Sequence, residues 1–144
     1  MDVELMLEEI QTLSKDKENN LKQIKEINTK IDECQENSRH YAAMIFINNH
    51  NLEMYRKKNI VLKKSMYHNL NVFITAVYDK LKIILLEREN QNLEENRIHY
   101  KNKIISYEQE KQELEKENIS ISNKIFIIDD KINSNEKKLI KEAK

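Results

Sequence analysis

The hydrophobic and polar positions of this chain follow three rhythms, and the central one differs from the two that flank it. Residues 72–86 are apolar on nearly every side of a helix, whereas the flanking segments carry only a narrow apolar stripe. A helix that is apolar all round needs several neighbours to cover it, but a narrow stripe needs only one or two. The pattern predicts an elongated coiled coil of long helices with a thicker central hydrophobic segment.

The first predicted segment, residues 1–62, is an N-terminal coiled-coil arm in one unbroken heptad register. Its widest apolar run ends at Asn48–Asn51. Because asparagine tolerates left-handed backbone and can end a helix, a turn there is one alternative. The heptad phase passes through this site without a skip, which favours a continuous helix.

The central segment, residues 63–86, has a different period. From Leu62 to Ile84 its apolar residues are spaced 4, 4, 3, 4, 4 and 3 positions apart. This eleven-residue repeat straightens or reverses a left-handed supercoil, and an untwisted stretch can accept extra helices. We expect this segment to supply most of the hydrophobic driving force for association. The predicted oligomer interface consists of Leu70, Phe73, Val77, Leu81, Ile84 and Leu85, together with Leu93, Tyr100, Leu114 and Ile121 of the next segment.

The third segment, residues 87–144, is a C-terminal coiled-coil arm in a different heptad phase. Asn90 and Asn118 fall at a positions, where paired asparagines set the register and suit a two-stranded parallel coil. The flanking charges include both attractive and repulsive pairs, so the orientation and the number of chains stay open. A turn near Asn118–Asn123 is an alternative, although no strong helix breaker lies there.

Folding back within one chain would not cover the central segment. A reversal at Asn48–Asn51 would oppose it with a mostly polar stretch, and a reversal at Asn90–Asn92 would offer only a narrow stripe. Both leave apolar surface exposed. The sequence therefore predicts partner chains, either further copies of this chain or other coiled-coil proteins.

The composition supports long helices and a soluble, intracellular protein. The chain has no Gly and no Pro, and 35% of its residues are charged, so it lacks both the usual turn residues and the usual helix breakers. A single cysteine excludes an internal disulfide and indicates a reducing compartment, cytoplasmic or nuclear. The N-terminus lacks a signal-peptide pattern, and the central segment is too interrupted by charge for a membrane span.

Nothing in the sequence indicates catalysis, a cofactor or a metal site. The four histidines have no metal-ligand spacing, and a phosphate-binding loop needs glycine. A coiled coil also offers no pocket for a small-molecule substrate. Cys34, at a d position, is interpreted as a small buried residue, with an interchain disulfide as the alternative.

One stretch is basic although the chain has no net charge, with 25 basic and 25 acidic residues. No acidic residue lies between Met54 and Tyr78, and five basic ones do: Arg56, Lys57, Lys58, Lys63 and Lys64. A solvated face is the simplest interpretation. Steering of assembly, or contact with an anionic partner such as nucleic acid or lipid, are the alternatives, and neither nucleic acid nor membrane is the expected partner.

The predicted function is structural: a non-enzymatic coiled-coil protein that oligomerises and scaffolds a larger assembly. In its long heptad runs the chain resembles many short eukaryotic coiled-coil proteins, including kinetochore, centrosomal and synaptonemal-complex components. This resemblance is generic and implies a chromosome-associated or cytoskeletal role as an alternative. A membrane or vesicle tether that uses the basic stretch 56–64 is the other alternative.

Overall fold

A computed structural model describes residues 2–65 and 70–143, with side chains for 2–59 and 70–143. Helix α1 comprises Val3–Ser65 and helix α2 comprises Leu70–Glu142. Apart from these helices, the described residues are only Asp2 and Ala143. The predicted all-α fold is confirmed.

The helix ends follow from local sequence. The Asp2 carboxylate accepts a hydrogen bond from the Glu4 backbone N–H at 3.1 Å, which caps one of the free N–H groups at the start of α1. Lys141 lies in the last turn of α2, where a positive charge complements the helix dipole. Both helices run without a break through Asn48–Asn51 and Asn118–Asn123, so neither alternative turn is formed.

The chain divides into two units, and each contains part of α1 and part of α2. Unit 1 consists of Met1–Ile31 and Ile105–Lys144, and unit 2 consists of Asp32–Ile104. This division groups residues by contact, whereas the three predicted segments group them by sequence period. The three-segment division stays a prediction.

In unit 1 the two helical stretches run antiparallel. Met6 packs with Ile128 and Ile132 in a buried cluster, while Asn20 lies beside Asn118. The residue numbers of the contacting residues decrease along α2 as they increase along α1, so the two helices are antiparallel. Three half-buried residues complete the cluster on the α1 side: Val3, Ile10 and Leu13.

Unit 2 shows the same antiparallel pairing with different contacts. The Tyr41 and Tyr100 rings are stacked with centroids 5.8 Å apart, and further along α1 the Lys58 ammonium contacts Asp79. Among the described residues of this unit, the buried apolar ones are Cys34, Leu52, Ala76 and Leu93.

The two helices of each unit pair within one chain, and the expected partner chains stay a prediction. In each unit the apolar stripe of α1 is met by α2 of the same chain, where the sequence analysis expected a partner chain. The α1 and α2 stretches run in opposite directions within each unit. Neither of the two reversal sites considered from the sequence is used.

Candidate interaction surface on α2

One side of α2 in unit 2 presents a continuous row of exposed apolar side chains, named here the α2 apolar face. Their exposed fractions range from 44% for Val77 to 73% for Leu70. At 100° per residue the whole row lies within an arc of about 140°. The α2 apolar face consists of Leu70, Phe73, Ile74, Val77, Tyr78, Leu81, Ile84 and Leu85.

The opposite side of the same helix packs against α1. Ala76 is 4% exposed and Asp79 is 1% exposed, and both lie across the helix axis from the α2 apolar face. Among the described residues, this stretch of α2 therefore has a helical neighbour on one side and an exposed apolar surface on the other. The pairing of α1 with α2 leaves this apolar surface of α2 exposed among the described residues.

Polar groups border the α2 apolar face without interrupting it. Lys80 projects at one edge, next to Phe73, and Lys82 at the other edge, next to Tyr78. No acidic or basic residue lies within the face from Leu70 to Leu85, since Asp79 is turned toward α1. A surface of this kind offers shape and apolar area to a partner, with charge only at its rim.

Lys82 is held at its edge by two tyrosines. Its Nζ donates a hydrogen bond to the Tyr55 hydroxyl at 3.3 Å and lies over the Tyr55 and Tyr78 rings, 5.5 and 5.8 Å from their centroids. The hydrogen bond to Tyr55, with the charge interaction between the two groups, raises the pKa of Lys82. The arrangement fixes one edge of the α2 apolar face to α1.

Asp79 is the most deeply buried large side chain among the described residues. Its Oδ2 lies 3.3 Å from Lys58 Nζ, yet that oxygen has no aligned hydrogen-bond donor. The contact is therefore an ion pair in which distance is satisfied and hydrogen-bond direction is not. It ties α2 to α1 beneath the α2 apolar face.

The basic stretch is largely neutralised within the chain. Arg56 pairs with Glu87 at 2.7 Å, Lys57 with Glu53 at 3.2 Å, and Lys58 with Asp79. The carboxylates lie just outside the acid-free interval of the sequence. The side chains of Lys63 and Lys64 lie outside the described residues. Contact of these five residues with an anionic partner stays a prediction, with three of them already paired.

The predicted register-setting asparagines each face another asparagine of the same chain. Asn118 accepts a hydrogen bond from Asn20 at 3.0 Å and donates one to the Lys17 carbonyl at 3.4 Å. Asn90 donates to Asn49 at 2.8 Å. The pairing is antiparallel and intramolecular, which differs from the parallel interchain pairing that the heptads suggested. Their role in setting register stays a prediction.

The remaining residues of the predicted oligomer interface lie elsewhere than on the α2 apolar face. Leu93 and Ile121 are buried within their own units, and Tyr100 and Leu114 are half-buried. Their use in an oligomer stays a prediction. Sequence analysis did not include Ile74 in the interface, although its position four residues after Leu70 placed it on the same side of the helix.

The described ranges, residues 2–65 and 70–143, contain neither a metal-site cluster nor a helix able to cross a membrane. No three His, Cys, Asp or Glu side chains there come together as a metal site would require. In the same ranges, neither helix contains a stretch with the length and hydropathy needed to cross a bilayer. Cys34 is buried and unoxidised in unit 2.

A comparison with protein-family models, with curated proteins and with solved structures found no match to this chain.

Proposed function

We propose that this protein is a non-enzymatic structural protein that oligomerises through the α2 apolar face and scaffolds a larger assembly. In this proposal the face is the place where more than two helices meet, and the oligomer is an elongated coiled coil thickened at its central segment. The observation that carries the proposal is the exposure of eight large apolar side chains in one uninterrupted row.

The size of the row supports an interface. Each of the eight side chains leaves between 44% and 73% of its surface in water, so the face presents several hundred Å² of apolar area. The largest apolar patch on a typical monomer is about 300–600 Å² and is often functional. A standard protein interface buries about 800 Å² on each partner. The α2 apolar face is of the order that an interface needs.

The charges of unit 2 favour assembly over binding to nucleic acid or lipid. Those alternatives depend on free cations in the basic stretch, because affinity for phosphate comes from neutralising its charge. Arg56, Lys57 and Lys58 each have a carboxylate within 3.3 Å. An uncharged face in a unit where these three cations are already paired suits a helical protein partner better than an anionic one.

The test is sedimentation velocity on the full chain and on the double variant Phe73→Asp/Leu81→Asp. We expect the unmodified chain to sediment above the 17.4 kDa of one copy. The variant should sediment as a single copy, with association weakened by more than about a hundredfold, because the interface would have to bury unpaired carboxylates. Helicity by circular dichroism should be retained, since both residues point away from α1.

A matched control places the same charges on exposed apolar residues of unit 1. Ile119 and Phe126 are 63% and 72% exposed, so Ile119→Asp/Phe126→Asp adds two carboxylates without touching the α2 apolar face. This control should assemble like the unmodified chain. An unmodified chain that stays a single copy at high micromolar concentration, or a Phe73→Asp/Leu81→Asp variant that assembles normally, would refute the proposal.

A further inference from the structure

We infer that the occupant of the α2 apolar face is the same face of a second copy, packed antiparallel about a two-fold axis that passes through Val77. This inference rests on the proposed function and adds to it the identity of the partner, its orientation and the residue at the centre. It commits to a closed symmetric dimer as the first step of assembly.

Five residues of the α2 apolar face form a line whose spacing is symmetric about Val77. Leu70, Phe73, Val77, Leu81 and Ile84 are separated by 3, 4, 4 and 3 positions, which reads the same in both directions. On a helix, positions equally far before and after a given residue deviate by equal and opposite angles. A two-fold axis through Val77 therefore brings each of these five residues opposite another of the five in the second copy. The other three members of the α2 apolar face, Ile74, Tyr78 and Leu85, lie along one side of this line.

The paired residues are compatible in size and polarity. Leu70 would meet the Ile84 position of the second copy, and Phe73 would meet the Leu81 position, so each of these pairs joins two large apolar groups. Val77 would meet itself, where a smaller side chain suits the closest approach of the two helices. Self-pairing also brings no charges of like sign together, because the row contains none.

Two-fold symmetry explains how the face is covered without leaving a new one exposed. An isologous contact uses the same patch on both copies and closes after two, whereas a head-to-tail contact leaves an unused patch at each end. Each copy keeps its own α1 on the far side of α2 in unit 2. The dimer would thus bury the second apolar side of α2 and leave the α1 pairing unchanged.

Single cysteines test the axis directly. The full chain carries Cys34→Ala, to remove the native thiol, and then Val77→Cys. The axes of two packed helices lie about 8–10 Å apart, and each Cα atom stands about 2.3 Å from its own axis. Facing Cα atoms are therefore separated by about 3.4–5.4 Å, which overlaps the roughly 4.4–6.8 Å that a disulfide spans. Under mild oxidation we expect Val77→Cys to form a covalent dimer in high yield, seen as doubled mass on non-reducing gels.

Leu70→Cys and Ile84→Cys in the same background are the matched controls. Around an axis at Val77, each of these positions lies about 21 Å along the helix from its own copy, so neither should cross-link alone. An equimolar mixture of the two should cross-link, because Leu70 of one copy faces Ile84 of the other. Circular dichroism of the Cys34→Ala background checks that the chain is folded before oxidation.

The outcomes separate this inference from the function on which it rests. Cross-linking of all three single variants would indicate parallel chains in register and would overturn the antiparallel axis. Failure of Val77→Cys to cross-link in a chain that still assembles would overturn the axis but leave assembly through the face standing. A chain that sediments as a single copy would overturn both.

Discussion

Unit 1 and unit 2 are built from the same two helices in the same antiparallel pairing, yet they differ in how much apolar surface they leave uncovered. In unit 1, exposed apolar residues of α2 are separated by polar ones, as Ser122 and Asn123 separate Ile119 from Phe126. In unit 2, α2 carries an uninterrupted apolar face. One neighbouring helix is enough to cover the apolar side of α2 in unit 1, but it does not cover all the apolar surface of α2 in unit 2.

The polar contacts differ in the same sense. Unit 1 buries a hydrogen-bonded pair, Asn20 and Asn118, which are 8% and 7% exposed. Unit 2 joins its helices with ion pairs whose basic partner is largely exposed, such as Arg56 with Glu87. Buried polar pairs specify how two helices align, whereas exposed ion pairs contribute only about 0.2–1 kcal/mol each. In the proposed assembly, unit 1 would define the register and unit 2 would provide the binding surface.

The largest effect on stability should come from the core of unit 1. Ile128→Ala removes a side chain that is 8% exposed and packed on Met6 and Ile132, so it should lower the free energy of unfolding by about 2–4 kcal/mol. Urea denaturation measures this. Ile127→Ala is the control, because Ile127 is 54% exposed and should change stability by less than about 0.5 kcal/mol. Equal effects would contradict the assignment of the core.

A smaller effect should separate the two asparagine pairs. Asn118→Ala leaves Asn20 buried without its partner and should cost about 1–3 kcal/mol in urea denaturation. Asn90→Ala should cost less, because Asn49 is exposed and regains water. If the two substitutions cost the same, the buried pair of unit 1 would have no special role. Asn20→Leu/Asn118→Leu should recover or exceed the original stability, because both polar groups are removed together.

The smallest effect concerns Lys82 and appears only at high pH. Because the hydrogen bond to Tyr55 raises the pKa of Lys82 above its usual 10.5, the folded state favours the protonated amine. Its stabilising contribution is complete below 10.5 and disappears as the pH rises through the raised value. Tyr55→Phe should return the Lys82 pKa toward its usual value, as measured by NMR titration, with stability at neutral pH little changed.

Tyr100→Phe is the control for that titration. Its ring belongs to unit 2 as well, but it stacks on Tyr41 and does not contact Lys82. The Lys82 pKa should therefore stay raised in this variant. A Lys82 pKa that is unchanged in Tyr55→Phe would show that the hydrogen bond is not its cause.

The sequence predicted the secondary structure and the unusual central segment for clear physical reasons. A chain with no Gly and no Pro lacks the strongest helix breakers, so long helices are expected, and the structure has two of 63 and 73 residues. The periodicity also placed Leu70, Phe73 and Val77 in a helix segment whose apolar surface is wider than one neighbouring helix can cover. Because side-chain period follows directly from helix geometry, these features are readable without tertiary information.

The sequence did not predict which helix packs on the apolar stripe of which other helix. A heptad stripe indicates that an apolar partner is needed but does not distinguish another chain from a later stretch of the same chain. Asn118 therefore suggested pairing with its own copy, and the structure pairs it with Asn20. The acid-free interval around Lys58 suggested free cations for a related reason: Asp79, its partner, lies 21 positions away in sequence and comes close only through the antiparallel pairing.

That antiparallel pairing also implies an order of folding. Tyr55 and Lys82 of unit 2 are separated by 27 residues, whereas Asn20 and Asn118 of unit 1 are separated by 98. Closing the longer loop first would cost about 1 kcal/mol more in chain entropy, and distant contacts form more slowly. We expect the helix pairing of unit 2 to form first and to nucleate folding, and the helix pairing of unit 1 to form afterwards. Substitutions between α1 and α2 in unit 2 should then slow folding, while those in unit 1 should mainly accelerate unfolding.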